Sequence, residues 1–256
     1  MVLLVHGITT YSFIWRKLLP CFEQEYDVIC VDLLGCGEPD KPLDVSYAIK
    51  DHAIRLHTFM QQLSIERFHL IGHDLGGGIA QIFAVQHEEM LTSLSMINTV
   101  AYDFWPVQPI TAMRTPIVRQ LLMGALDIGM MRLLVKVGFY HKEKLTDELM
   151  ELFWKPLRNR EGRKAFMHFA RCLDNHNLME ISEEISQLKV PTLIMRGDAD
   201  PFLPATIAER LHEGMPASQL IRMPTSSHYL MEDEPEWAAE NILSFIEHID
   251  DNRAKR

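Results

Sequence analysis

Short apolar runs alternate with segments of helical spacing along most of the chain. Val2 to Val5 is apolar throughout and reads as a buried strand, and Val28-Ile29-Cys30-Val31-Asp32 reads as a second buried strand. Phe68 to Ile71 and Ser93 to Ile97 continue the series; runs this short and apolar suit strands covered on both faces. Between them lie an amphipathic helix from about Ser12 to Gln24, a helical pattern from Ser46 to Leu63 (Ala48, Ile49, Ala53, Leu56, Phe59, Met60, Leu63), and a helix from Ile79 to Gln86. After Asn98 the rhythm changes. From about Asp103 to Leu188 there are only helical stretches: Ile117 to Val137, Thr146 to Trp154, Arg163 to Leu173 and Met179 to Leu188. Alternation resumes with a strand at Thr192 to Arg196, a helix at Ala205 to Glu213, a strand at Gln219 to Met223 and a helix at Pro235 to Ile249.

This pattern predicts an α/β fold, a mostly parallel sheet with helices on both faces and a helical insertion. It divides the chain into residues 1–102 (core, first part), 103–188 (helical cap insertion) and 189–256 (core, second part). The insertion's soft side chains (Met123, Met130, Met131, Phe139, Tyr140, Trp154, Phe166, Met167, Phe169) read chiefly as core filling. Met1 stands at the start of a core strand, so the edge strands that usually precede it are missing; the N-terminus is truncated or the sheet is minimal.

Composition narrows the class. The chain has 256 residues, 47% of them hydrophobic and 23% charged, as in ordinary soluble domains. A formal charge of −10 disfavours nucleic acid and anionic membranes as partners. Cys21, Cys30, Cys36 and Cys172 have neither metal-site spacing nor disulfide-scaffold density, and are expected as reduced thiols in a cytoplasmic protein. No run approaches the roughly 18 apolar residues of a membrane span. No cofactor or metal is expected, and the pattern leaves the oligomeric state open.

The chemistry centres on Gly72-His73-Asp74-Leu75-Gly76, where an apolar strand meets a helix. The Gly-x-Asp-x-Gly frame has the spacing of a nucleophile elbow, a strained turn that lifts one side chain over the sheet end. The plain alternative is a βα turn with Asp74 as a helix N-cap. Asp200, in Gly197-Asp198-Ala199-Asp200, and His228, in Pro224-Thr225-Ser226-Ser227-His228, also follow strand ends, the edge where α/β sheets bind ligands.

With His6-Gly7 and the order Asp74, Asp200, His228, the chain resembles the α/β-hydrolase fold superfamily, in its Asp-nucleophile branch of epoxide hydrolases and haloalkane dehalogenases. The resemblance implies Asp74 as nucleophile, His228 as base, Asp200 as the carboxylate orienting His228, and the backbone N–H groups of Leu75 and Ile8 as the oxyanion hole. Asp198 competes with Asp200, but the family's spacing from Gly197 favours Asp200. His73 is expected to point away from the reaction and act structurally.

A carboxylate that attacks an ester gives only a more reactive anhydride, whereas attack on an sp³ carbon gives a stable alkyl ester that activated water can hydrolyse. The expected substrate is therefore a small, largely apolar organic molecule, an epoxide first and an alkyl halide as the alternative. The family's tryptophan after the nucleophile is Leu75 here, the proline of its His-Gly loop is Thr9, and no arginine lies between Gly72 and Gln86. Tyr140 and then Tyr102 are the candidate acids for an epoxide, and Trp105 the candidate indole donor for a halide. A non-catalytic binding module on the same fold is the remaining alternative; the intact set of Asp74, Asp200 and His228 speaks against it.

Overall fold

Six apolar runs pair into one parallel sheet: β1 (Val2–Val5), β2 (Val28–Val31), β3 (Phe68–His73), β4 (Leu91–Ile97), β5 (Thr192–Gly197) and β6 (Ser218–Met223), in the order β2-β1-β3-β4-β5-β6. The computed structural model describes residues 1–37, 40–105 and 127–255. β1, β3, β4 and β5 are buried along their whole length, as unbroken apolar runs between two helical layers must be. β2, expected to be buried, is only half-buried, because it forms the edge of the sheet.

Register brings the carboxyl ends of the inner strands to one edge. Val5 lies opposite Gly72, His73 opposite Ile97, and Gly197 opposite Met223. The residues that follow these positions, Gly7, Asp74, Asn98, Asp200 and His228, therefore leave the sheet on the same side.

Two other expectations fail locally. In place of one helix from Ser12 to Gln24 there is a 3₁₀ turn at Ser12–Trp15 and a short α1 (Leu19–Phe22). Pro20 supplies no N–H for a continuous ladder, and Ile14, Trp15, Leu18 and Phe22 are all fully buried rather than confined to one stripe. α2 (Ile49–Gln62) and α3 (Leu75–Gln86) match the expected positions, with α3 beginning at the elbow itself.

Between β4 and β5 the described residues contain no strand. They form α4 (Ile128–Val137), α5 (Asp147–Trp154), α6 (Arg160–Cys172) and α7 (His176–Met179). Each of the three longer helices starts with a side-chain cap: Asp127 accepts the Met130 N–H, Thr146 that of Leu149, and Asn159 that of Gly162. The helix expected at Met179 to Leu188 is instead α7 and a 3₁₀ turn at Glu184–Gln187. The Ser182 and Ser186 hydroxyls donate to carbonyl oxygens three residues back and compete with a regular ladder. The first part of the predicted Ile117 to Val137 helix, with Met123, lies outside the described residues.

α8 (Ala205–Gly214) precedes β6, and α9 (Leu230–Asp233) and α10 (Pro235–Ala254) end the fold. One core layer joins Leu70, Ile79 and Phe83 to Ala165, Phe169 and Trp105, and the other joins Leu4, Ile71 and Ile242 to Phe139, Phe153 and Tyr229. Of the insertion's soft residues, Met131, Phe139, Trp154, Phe166, Met167 and Phe169 are buried, whereas Met130 and Tyr140 are exposed. Among the described residues no helix is long and apolar enough to cross a membrane.

Candidate active site

The elbow is built by close backbone packing. β3 runs through Gly72 to Asp74, whose φ of 52° and ψ of −118° place a non-glycine residue in a strained region. The surroundings hold it there. Its N–H donates to the Ile97 carbonyl at 3.2 Å, and its own carbonyl accepts from Gly77 at 3.0 Å and from Gly78 and Val100 at 3.3 Å. A Cβ on Gly72 would strike the Gly76 carbonyl, and one on Gly76 would strike that of Val5, so only glycine lets α3 start this close to the sheet.

The Asp74 side chain is buried and does not cap α3. Its Oδ2 accepts the Ile8 N–H at 3.1 Å, and the Leu75 N–H also bonds the carboxylate. Both expected oxyanion donors thus converge on the carboxyl group of Asp74. Gly7 makes room for it, since a Cβ there would lie 2.5 Å from both Asp74 Cβ and Oδ2. Burial pushes the Asp74 carboxyl up to about 6, against the opposing pull of His228 and the two N–H donors.

His228 and Asp200 form a buried pair, with Nδ1 2.9 Å from Oδ2. The other oxygen of Asp200, Oδ1, accepts the N–H groups of Phe202 at 2.8 Å and Leu203 at 3.2 Å, which fixes the carboxylate plane. Burial alone would raise Asp200, but His228 and the buried guanidinium of Arg196 outweigh it and leave Asp200 below the usual carboxylate range. Burial would likewise lower His228. Asp200, through charge and hydrogen bond, and then the charge of Asp74 reverse that and leave the imidazole raised. Asp198, the sequence's competing acid, instead pairs with Arg222 at 2.7 Å.

Asn98, His73, His6 and Tyr229 support the site, and of these Asn98 and Tyr229 were not singled out from the sequence. Asn98 (φ 39°) donates from Nδ2 to the Ser227 carbonyl at 2.8 Å and the His228 carbonyl at 2.9 Å, and accepts the Gly197 N–H on Oδ1 at 2.9 Å. It therefore ties the Asp200 and His228 loops together. The available signal was its position as the first polar residue past β4, the same logic that picks out the triad. His73 bonds the His228 carbonyl at 2.9 Å through Nε2, so its role is structural, as expected, and burial lowers it to about 3. His6 accepts the Leu33 N–H on Nε2 at 2.9 Å and its Nδ1 lies 2.7 Å from the Gly7 carbonyl; burial lowers it to about 4. Tyr229, buried between Phe139 and Phe153, bonds the Thr9 side chain.

The candidate substrate-contact residues fare differently. Trp105 is 2% exposed, shares the buried layer of Leu75, and its indole Nε1 has no hydrogen-bond partner among the described residues. The Tyr102 hydroxyl reaches the Arg210 carbonyl at 3.5 Å while the Arg210 guanidinium lies over its ring. Tyr140 is exposed, with its ring against His141. Among the described residues no three His, Cys, Asp or Glu side chains cluster as metal ligands. The arrangement suits a carboxylate nucleophile backed by an imidazole and carboxylate pair, with two N–H donors aimed where an oxyanion would form.

Comparison with known proteins agrees with this fold. Residues 1–235 match the family model of the alpha/beta hydrolase fold. The chain is 25% identical to the cis-3-alkyl-4-alkyloxetan-2-one decarboxylase of Shewanella oneidensis, over 97% of this chain and 81% of that protein. It is 25% identical to haloalkane dehalogenase 2 of Mycobacterium tuberculosis, over 94% of this chain and 86% of the relative. The crystal structure of the ancestral haloalkane dehalogenase AncHLD2 superposes with a TM-score of 0.85 at 26% identity, covering 97% of this chain and 91% of that one.

Proposed function

The chain belongs to the α/β-hydrolase fold family and is a hydrolase, and from that premise we propose that it works through an alkyl ester formed on Asp74. The observation that carries this reading is the buried Asp74 carboxylate at the elbow, gripped by the Ile8 and Leu75 N–H groups. In the first step an Asp74 oxygen attacks an sp³ carbon, the carbon's bond to the leaving group breaks, and the electron pair departs with that group. In the second, His228 takes a proton from water, and the hydroxide adds to the Asp74 carbonyl carbon. The oxyanion is held by the two N–H groups, each worth roughly 3 kcal/mol in such sites. Collapse expels the alkoxide, which takes the proton from His228, and Asp74, left as the carboxylic acid, releases its proton to solvent and returns to the carboxylate.

The electrostatics suit this order. In the free enzyme the Asp74 charge helps to hold His228 raised. Esterification removes that charge, which lowers the imidazole and favours its neutral form, the form that can take a proton from water when it must serve as base.

For the substrate, we favour small, largely apolar alkyl halides. The buried indole N–H of Trp105, unpartnered among the described residues, suits a departing halide, whereas Tyr102 has its hydroxyl directed to Arg210 and Tyr140 is exposed, which leaves neither suited to protonate an opening epoxide. Strained oxygen rings are the second reading. It is favoured by Leu75, which offers no side-chain donor after the nucleophile, so ring strain must expel the oxygen; the Shewanella relative acts on such a ring by name. In this reading residues 103–188 cap the site, and the reduced cysteines fit a cytoplasmic protein.

The test is a His228→Gln variant treated with 1-bromobutane and with styrene oxide. Intact-protein mass spectrometry should show an ester adduct that is absent from Asp74→Ala. Turnover of either compound by wild type without an adduct in His228→Gln would remove Asp74 as the nucleophile, and bromide release against diol formation decides between the substrate classes.

A further inference from the structure

The last residue of α9, Asp233, has no exposed surface and takes no part in the chemistry above. Its carboxylate accepts N–H groups from two distant segments. Oδ1 receives Tyr140 at 3.1 Å and His141 at 2.9 Å, and Oδ2 receives Tyr140 at 3.0 Å and Ser227 at 2.9 Å. Tyr140 and His141 lie just past α4, and Ser227 immediately precedes His228.

The surrounding contacts follow the same seam. The Tyr229 N–H donates to the Gly138 carbonyl at 3.2 Å, and Lys144 Nζ donates to the Asp233 carbonyl. Gly138 is needed there, because a Cβ would come within 2.6 Å of the Tyr229 ring. Glu234 bonds both His141 and Thr225, so the residues on either side of the His228 loop meet the same turn. From the sheet side the Ser226 N–H donates to the Met223 carbonyl at 3.3 Å and the Ser226 carbonyl accepts the Ala199 N–H at 3.0 Å. Asn98 grips the Ser227 and His228 carbonyls, His73 grips the His228 carbonyl, and the Ser227 hydroxyl reaches the Ala199 carbonyl. The Ser227 amide is left to Asp233.

We propose that Asp233 is a positioning residue for His228: its carboxylate sets the Ser227 peptide, and with it the placement of the imidazole, while locking residues 138–141 against the same loop. The inference rests on the reading of His228 as the base of the second step. Every group facing the carboxylate is an N–H donor, so an amide cannot replace it; one face of asparagine would present its NH₂ to another donor. Because Asp233 acts through the base, its loss should weigh on ester hydrolysis and not on attack by Asp74.

The experiment measures the two steps separately by rapid quench and intact mass, with 1-bromobutane and styrene oxide as probes, in wild type, Asp233→Asn, Asp233→Glu and His228→Gln. In Asp233→Asn, ester hydrolysis should slow by roughly ten- to a hundredfold, the cost of small misplacement, with alkylation within about twofold of wild type, so that the adduct accumulates. Asp233→Glu, which keeps the acceptors but shifts their reach, should show the same imbalance to a smaller degree. Equal slowing of both steps, no slowing, or failure of both variants to fold would overturn the proposal and leave Asp233 a purely structural residue. The His228→Gln arm separates the two readings: no adduct there defeats the Asp74 ester itself, whereas an adduct there without imbalance in the Asp233 variants defeats only the positioning role.

Discussion

Asp74→Asn should make the protein more stable, and by an amount that depends on pH. The carboxyl is buried, and burial lifts its pKa from an ordinary 3.8 to about 6 in the folded chain. Between those values the folded state binds the proton more tightly than the unfolded state, so stability falls as pH rises through the window and stays lower above it. The gap, at about 1.4 kcal/mol for each tenfold change in the ionisation constant, amounts to roughly 3 kcal/mol held against the fold at pH 8. Asparagine keeps an oxygen for the Ile8 N–H but carries no charge to desolvate. At about 2–4 °C per kcal/mol for a chain of this size, Asp74→Asn should melt roughly 6–12 °C above wild type at pH 8. Near pH 4 wild type holds Asp74 protonated, and the difference should largely vanish. Thermal melts followed by circular dichroism at the two pH values measure both increments. An asparagine variant no more stable than wild type at pH 8, or one with the same gain at pH 4, would refute the reasoning, because either outcome removes the desolvated charge as the source of strain.

Two further outcomes follow from the same geometry. The rate of enzyme alkylation should fall as pH drops through about 6, losing about tenfold per pH unit below it, since attack needs ionised Asp74; single-turnover rates between pH 4.5 and 8 measure the limb. Gly7→Ala should cost at least about 2 kcal/mol of stability and most of the activity, because its methyl would sit 2.5 Å from Asp74; denaturant unfolding and turnover check the pair of effects.

The parallel sheet was legible because uninterrupted apolar runs have few other uses, and the elbow because glycines at Gly72 and Gly76 bracket a single acidic residue. Asn98 was not singled out because its value depends on register. Only when β4 lies beside β5 does its side chain reach Gly197 on one side and the His228 loop on the other. The Ser12 to Gln24 helix failed for the opposite reason. Its apolar residues have helical spacing, but Trp15, Leu18 and Phe22 are enclosed on every side, and burial set their path in place of periodicity. Trp105 and the two tyrosines show a third kind of limit: sequence can nominate an N–H or hydroxyl, but only packing decides whether something else already takes it.

His6 and His73 lie beside the reactive groups, yet both are built as neutral struts. His6 is held between the Leu33 amide and the Gly7 carbonyl, and His73 against the His228 carbonyl, with burial keeping them near 4 and 3. Across the neutral range neither gains or loses a proton. The loop that carries the Ile8 donor and the loop that carries His228 therefore keep their shape while the chemistry between them changes charge. In the proposed reaction the scaffold is insulated from the proton traffic it supports, so that a change of pH would act through Asp74 and His228 and leave the frame that aligns them in place.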